Sequence, residues 1–193
     1  MWEQILPGLR IKLFMTVVLG IVYPLAITGI SQVIFPKQSN GSLIKVGDKV
    51  IGSEIIGQNF ARPEYFSPRP SAAGEKGYDA TSSGGTNFGP TNKKLIDRVQ
   101  AAIDQFRKDN PDYQGPIPAD LLTTSASGLD PHISPASAQA QAARVAKARG
   151  IQIDQANQMI AEFTEGPSLG LLGEPRVNVL KVNLALDRQF PHR

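Results

Sequence analysis

Residues 13–35 read LFMTVVLGIVYPLAITGISQVIF, a run of 23 residues without a charged side chain. At ~1.5 Å per residue, a helix of this length reaches roughly 35 Å and can cross a hydrocarbon core of about 30 Å. A helix also pairs its own backbone polar groups, as the interior of a bilayer requires. The run therefore predicts one transmembrane helix.

A secretory signal peptide is the alternative interpretation, because Arg10 and Lys12 precede the run as a charged amino-terminal region would. The apolar part of a signal peptide spans about 7 to 15 residues and ends at a cleavage site made of small residues. Here the apolar run continues past the poor candidate at residues 26–28. The length favours an anchor that is retained.

Gly20 and Pro24 lie in the middle of this span, four residues apart. Proline offers no N–H to the carbonyl group four residues back, so the sequence predicts a kink at this point. Small residues also allow two helix backbones to approach closely in a membrane. Gly20 and Pro24 are therefore candidate residues for packing against a partner helix.

The composition excludes several classes of function. The chain has 20 basic and 17 acidic residues, and they are interspersed without the basic cluster that indicates nucleic-acid binding. It contains no cysteine, and its two histidines, His132 and His192, are far apart in sequence. We therefore expect no nucleic-acid partner, no metal site and no histidine base.

The sequence predicts three regions: a tail at residues 1–12, the transmembrane helix at 13–35, and one soluble domain at 37–193. Short apolar stretches around Gly47-Asp48 predict a β-hairpin. Residues 58–90 are rich in proline, glycine and aromatic residues, which indicates a long, packed loop.

Three helices and one longer strand complete the predicted soluble domain. The helices are expected at Thr91–Lys108, with Thr91 as N-cap, at Ser134–Arg149 and at Asp154–Glu165. The alternating apolar residues of 175–187 predict the best strand in the chain. The expected fold is thus an anchored α+β domain with a small sheet and about three helices.

Two short serine-containing segments are candidates for chemistry. Ser82–Gly85 could present backbone N–H groups to an anion, although it lacks the lysine and the spacing of a phosphate loop. A serine nucleophile among Ser125, Ser127 and Ser137 would need an adjacent base, which the sequence does not indicate. A membrane-anchored hydrolase is therefore the weaker interpretation.

Several blocks in order along the chain resemble the KdpC family, the small subunit of bacterial potassium-transporting P-type ATPases. They are Val22–Leu25, Asn40–Leu43, Ile56–Phe60, Tyr65-Phe66, Arg69–Ala72, Ser83–Gly85, Ser125–Asp130, Arg144–Arg149 and Val177–Leu180. Family members often have a serine after the two glycines, where this chain has Thr86. That change keeps a hydroxyl group.

The resemblance implies a non-catalytic accessory subunit in a bacterial inner membrane. Its partners would be a potassium-channel-like subunit (KdpA), a P-type subunit that hydrolyses ATP (KdpB) and a small subunit (KdpF). The family is described as a catalytic chaperone that raises the ATP affinity of the pump subunit, so ATP would be the chaperoned ligand. By the same resemblance Ser83, Gly84 and Gly85, which are similar to the signature stretch of ABC transporters, would contact nucleotide.

The residues themselves fit a second interpretation, in which the chain is a structural assembly module without nucleotide contact. The side of the membrane bears on this choice, because ATP is cytoplasmic. Arg10 and Lys12 in the short amino-terminal segment place that segment inside, since long domains translocate largely regardless of charge. The soluble domain is then expected outside the cytoplasm, as a cap or clamp over the potassium entrance.

Overall fold

A computed structural model of the protein describes residues 2–191, except for the side chain of Trp2. His192, one of the two histidines considered above, lies outside the described residues. The chain separates into two compact units, Met1–Ile51 and Gly52–Arg193.

A long amino-terminal helix dominates the first unit. It consists of α1 (Trp2–Val17), a π-helical turn (Val18–Val22) and α2 (Tyr23–Ile34). The stretch Glu3–Ile34 is long and apolar enough to cross a membrane, and none of its apolar window is buried within the protein. The helix therefore also includes most of residues 1–12, the segment that was predicted to be a tail before the uncharged run.

The π-helical turn lies immediately before Pro24. In this turn the N–H of Tyr23 donates to the carbonyl group of Val18, five residues back, instead of to the residue four back. Pro24 then stands in the first turn of α2, where a missing N–H is tolerated. The structure thus has a wider helical turn at the position where the sequence predicts a kink.

A short helix and a hairpin follow the long helix. The helix α3 (Pro36–Ser39) leads to β1 (Leu43–Val46) and β2 (Lys49–Ser53), which pair as a two-stranded sheet. Gly47 has φ +60° in the connecting turn, as the Gly-Asp signal predicts.

The second unit is α+β, as predicted. Its helices are α4 (Lys93–Asp109), α5 (Pro135–Arg149), α6 (Ile153–Glu162) and α7 (Val179–Gln189), with a 3₁₀ turn at Ala119–Leu121. Its sheet is formed by three short strands, β3 (His132–Ile133), β4 (Thr164–Glu165) and β5 (Arg176–Asn178).

The strand β5 is central in this sheet and is antiparallel to both neighbours. Ile133 and Thr164 both pair with Val177, one from each side. Helices α5, α6 and α7 contribute most of the buried core, which includes Phe66, Ile133, Val145, Met159, Ile160, Val177, Val182 and Leu186.

The ends of α5 were predicted correctly and the end of α4 to within one residue, whereas the N-caps of α4 and α6 and the end of α6 were not. Ser134 caps α5 by accepting from the N–H of Ser137, and Gly150 ends it with φ +68°. Helix α4 is capped by Asn92 rather than Thr91, because the Asn92 side chain accepts from the N–H of Lys94. Helix α6 is capped by Gln152 and ends at Glu162, because the chain then enters β4.

The prediction of a long strand at residues 175–187 was wrong. Only Arg176–Asn178 is a strand, and Val179–Gln189 is helix. Asn178 caps this helix by accepting from the N–H of Lys181, and Val179, Val182 and Leu186 then recur at helical spacing on its buried side. The apolar residues change from odd-numbered to even-numbered positions after Val179, and this change coincides with the start of the helix.

The long segment 58–90 contains no helix or strand, as predicted. It is packed rather than open, because Phe66 and Ala73 have no exposed surface. The rings of Phe60 and Tyr65 also lie 5.4 Å apart. Three of the nine blocks that carried the resemblance lie within this loop, and a fourth, Ile56–Phe60, runs into it.

Candidate functional site

Two helix side chains hold residues 66 and 67 of the long loop as a neighbouring strand would. Asn183 on α7 accepts from the N–H of Phe66 at 2.9 Å and donates to its carbonyl group at 2.9 Å. Gln141 on α5 does the same for Ser67, at 2.8 and 3.2 Å. Both amides are buried, so the irregular backbone of the loop remains paired without a sheet.

Two arginines of α5 bind the carbonyl groups of the same loop. Arg144 donates to the carbonyl groups of Pro63 and Tyr65, at 2.6 and 3.0 Å. Arg149 donates to the carbonyl group of Glu64 at 2.7 Å and forms a 2.8 Å ion pair with Asp187. We call residues 62–67 with these helix side chains the braced loop.

Burial separates these two arginines from ordinary surface cations. The side chain of Arg149 is 0% exposed, and its guanidinium lies 5.0 Å from the centre of the Tyr65 ring. Burial lowers the pKa of Arg144, while the charges of Asp109 and Glu64 oppose that change. A planar group with several donors suits this role, since one side chain pairs several carbonyl groups.

The predicted nucleotide segment, Ser83–Gly85, lies against a second loop. The N–H of Gly84 and the hydroxyl group of Ser83 both donate to the carbonyl group of Ser127, at 2.9 and 3.0 Å. Residues 83–85 and 125–128 thus form a loop pair, the name used below. Ser83 is exposed, whereas Gly84 and Gly85 are half-buried.

Glycine is required where the two members of the loop pair approach each other. Gly128 has φ +67°, and a Cβ atom there would lie 2.7 Å from the carbonyl oxygen of Gly84 and 2.8 Å from the nitrogen of Ala73. A Cβ atom on Gly85 would lie 3.0 Å from the carbonyl oxygen of Ala126. At Gly84 a Cβ atom would meet nothing within 4 Å.

Ser71 links the long loop to the loop pair. Its hydroxyl group donates to the carbonyl group of Gly128 at 2.6 Å and accepts from the N–H groups of Ala73 and Tyr78. Tyr78 donates its own hydroxyl to the carbonyl group of Arg69. Burial raises the pKa of Tyr78, and the nearby charge of Asp130 adds to that effect.

Asp130 joins the loop pair to the sheet. It binds Arg69 in a 3.0 Å ion pair and accepts from the N–H of His132 at 3.0 Å. Burial alone would raise the pKa of Asp130, but the hydrogen bonds from His132 and the charge of Arg69 outweigh it, and the pKa is lowered. Asp130 therefore stays ionised.

An open cleft of about 580 Å³ borders this region. Its lining includes Ile55, Arg69, Ser125, Ser127 and Asp130. The two ionic groups in it are already paired with each other, so they neutralise each other's charge. The polar groups that the cleft presents to a ligand are therefore mainly uncharged, such as the hydroxyl groups of Ser125 and Ser127.

The serines considered as nucleophiles have structural contacts. Ser125 and Ser127 accept from the N–H groups of Gly128 and Leu129. Ser137 is buried and donates to Asp120. None of the hydrogen bonds described for these serines involves His132, so the arrangement gives no support to the hydrolase interpretation.

Gly20 and Pro24, the candidates for partner packing, flank the end of the π-helical turn in the long helix. Apart from the backbone of its own helix and its chain neighbours, the nearest atom to a Cβ built on Gly20 is Thr16 Cγ2, at 4.0 Å. Both residues and Ser83–Gly85 remain predicted contact sites. Sequence reasoning missed Gln141 and Asn183, whose only signal was an amide on the apolar side of a helix.

Comparisons with known proteins identify the family of this chain. The family described as "K+-transporting ATPase, c chain", KdpC, matches residues 5–188. The chain belongs to the KdpC family. It is therefore an accessory subunit of a potassium-transporting ATPase and is located in a membrane.

Individual KdpC relatives match over nearly the whole chain. A protein of Rhodospirillum rubrum named "Potassium-transporting ATPase KdpC subunit" is 54% identical over 191 residues, covering 99% of this chain and 98% of its own length. A Myxococcus xanthus protein of the same name is 52% identical, covering 98% and 90%. A Caulobacter relative, again a KdpC subunit, is 55% identical and covers 91% and 89%.

Proposed function

We propose that this chain is a non-catalytic assembly subunit, which joins the potassium pump through its membrane helix and presents a rigid domain outside the cytoplasm. The observation that carries the proposal is the use of the Gly84 N–H. It donates to the carbonyl group of Ser127, so the segment that resembles a nucleotide site acts as an internal brace. The proposed partners are the channel-like KdpA, the ATP-hydrolysing KdpB and the small subunit KdpF.

The membrane helix is the proposed attachment point. Gly20→Leu fills a possible close-approach position on a helix with open space around it, so insertion should be normal and recovery of the partner subunits should fall. Gly8→Leu is the matched control, because that glycine also has open space and precedes the uncharged run. Equal recovery of partners with both variants would contradict the proposal.

The proposed retention of the anchor has a direct measurement. Mass spectrometry of the membrane-extracted chain should find residues 13–35 still attached. A mature chain that begins near Lys37 would contradict an uncleaved anchor.

The proposed orientation rests on Arg10 and Lys12, which favour a cytoplasmic amino terminus. The chain has no cysteine, so Ser82→Cys creates one labelling site on an exposed residue. In intact cells a membrane-impermeant maleimide should label it. Labelling that appears only after lysis would reverse the orientation and favour direct action on ATP.

Raising the ATP affinity of the pump subunit is the second candidate function. The exposed hydroxyl group of Ser83 and the open space at Gly84 favour it, because a ligand could approach the backbone there. It conflicts with the proposed orientation, since ATP is cytoplasmic. The proposed assembly subunit is non-catalytic, so we expect that the purified chain does not hydrolyse ATP.

The substitution Gly84→Ala, which adds one methyl group, distinguishes the two candidate functions experimentally. Gly84→Ala adds a Cβ atom in open space, so the fold should be unchanged, whereas a nucleotide close to this backbone would be displaced. Gly89→Ala is the matched control, also with open space. We expect the ATP dependence of the assembled pump to be the same for both variants. A raised ATP requirement in Gly84→Ala alone would establish the chaperone function.

A further inference from the structure

The loop between β4 and β5, residues 166–175, presents three leucines to solvent. Leu169, Leu171 and Leu172 are 90%, 88% and 62% exposed. We call this segment the leucine loop. Single exposed apolar residues are common on proteins, but three in one short loop form a patch that is typical of a contact surface.

The leucine loop is preformed rather than open. The N–H and carbonyl groups of Ser168 pair with those of Leu172, at 2.8 and 2.9 Å, and the N–H of Leu171 donates to the carbonyl group of Ser168. Leu169 adopts φ +55°, a region that residues with a side chain disfavour. The chain thus holds Leu169 in a backbone conformation that a leucine disfavours.

The charges of this region favour a protein over a lipid surface as the occupant. Glu174 is the one charged residue in segment 166–175. The neighbouring Glu165 is paired with Arg176 and Lys181, at 3.3 and 3.1 Å. A loop that binds a bacterial membrane would be expected to carry unpaired lysine or arginine, or tryptophan, beside its apolar residues. Here the nearest basic residues, Arg176 and Lys181, are already paired with Glu165, and the loop itself carries an exposed carboxylate at Glu174.

From the preformed leucines and the exposed carboxylate of Glu174, we propose that the leucine loop docks into an apolar pocket on another subunit of the potassium pump. The pocket carries a basic side chain at its edge, opposite Glu174. This inference rests on the proposed assembly function and adds the surface through which the soluble unit engages a partner. Because the loop is preformed, less conformational entropy is lost when it docks.

The first test is recovery of the complex. The triple variant L169S/L171S/L172S, in the full chain expressed with the other pump subunits, should reduce their co-purification about tenfold or more, since it removes the apolar surface that docking would bury. Ile96→Ser with Ile153→Ser is the matched control, because both isoleucines are also exposed, at 58% and 48%. Wild-type recovery with the triple variant would overturn the leucine-loop assignment. Failure of the wild-type chain itself to co-purify would overturn the assembly function as well.

The second test measures exposure at one position and does not depend on the triple variant. Leu171→Cys is labelled by a water-soluble maleimide in lipid nanodiscs, which leave both faces accessible. We expect rapid labelling of the chain alone, and labelling about tenfold slower in the assembled pump, where a docked anchor is shielded from water. Equal labelling in the two samples would overturn the assignment. Protection of the chain alone would do so too, because lipid or a second copy would then cover the loop.

Discussion

The braced loop and the loop pair are both irregular backbone, but they are held in different ways. In the braced loop, side chains of two helices pair the backbone polar groups, and Asn183 and Gln141 are each 1% exposed. In the loop pair, one loop binds another through the carbonyl group of Ser127, at the surface. The first arrangement is supported by the core, and the second depends on close approach at glycine.

This difference indicates where substitutions should matter for stability and where they should matter for function. Blocks that identified the family lie in both regions, so the resemblance alone did not separate structural from functional residues. The braced loop has its hydrogen-bonding groups directed inward. The loop pair keeps Ser83 at the surface, and it is the region in which a functional contact can be tested without unfolding the chain.

The largest loss of stability is expected when an amide of the braced loop is removed. Asn183→Ala leaves the buried N–H and carbonyl groups of Phe66 without partners, which should lower the free energy of unfolding by about 4 kcal/mol. Denaturant unfolding of the full chain in detergent would measure this. Asn157→Ala, an exposed amide on α6, should change it by less than about 0.5 kcal/mol. Similar values for the two variants would remove the distinction between the regions.

A smaller loss is expected for Arg149→Lys, which keeps the charge. A single ammonium group cannot reach Asp187 and the carbonyl groups of Glu64 and Phe190 together, so about 3 kcal/mol of stability should be lost. The exposed Arg188→Lys is the control. If the two variants have the same thermal midpoint, the buried guanidinium does not support the braced loop.

The loop pair can be tested with two glycines of nearly equal φ. Gly150→Ala adds a methyl group in open space at φ +68°, so only the left-handed backbone opposes it, at about 1 kcal/mol. Gly128→Ala at φ +67° also crowds Gly84 and Ala73, and we expect about 2 kcal/mol or more. Equal unfolding free energies for the two variants would show that the close approach at Gly128 does not contribute to stability.

The smallest effect concerns pH. Because the pKa of Asp130 is lower in the folded chain, its ionised form contributes stability above the usual carboxylate range, and that contribution is lost as pH falls through the folded pKa. Asp130→Asn should therefore flatten the acid side of the curve of stability against pH. The exposed Asp154→Asn should leave that curve unchanged. A curve for Asp130→Asn that overlays the wild type would contradict the role of Asp130.

The parts of the fold that were predictable are those with local signals. Ser134, Pro135 and Gly150 set the ends of α5 through contacts within a few residues, so its bounds could be predicted. The carboxyl-terminal segment was misassigned because Val177, Val179 and Leu180 fit a strand until Asn178 is recognised as a helix cap. Three-residue strands such as β5 leave too little pattern to identify.

The loop pair could not have been predicted for a different reason. Ser83 and Ser127 are 44 residues apart and meet only after the long loop is folded. Nothing near Ser83 in sequence indicates that the Gly84 N–H is already used. The resemblance identified the segment, and only the folded chain shows its partner.

The π-helical turn affects the energetics of membrane insertion. Because the N–H of Tyr23 binds the carbonyl group of Val18, and Pro24 has no N–H, the carbonyl group of Leu19 has no backbone donor from either of these residues. Such groups are costly in hydrocarbon unless a neighbouring side chain or a water molecule donates to them. Side-chain hydropathy therefore overstates how favourably this helix partitions into lipid by itself. The uncharged run that suggested a simple anchor contains a polar backbone site that side-chain hydropathy does not register.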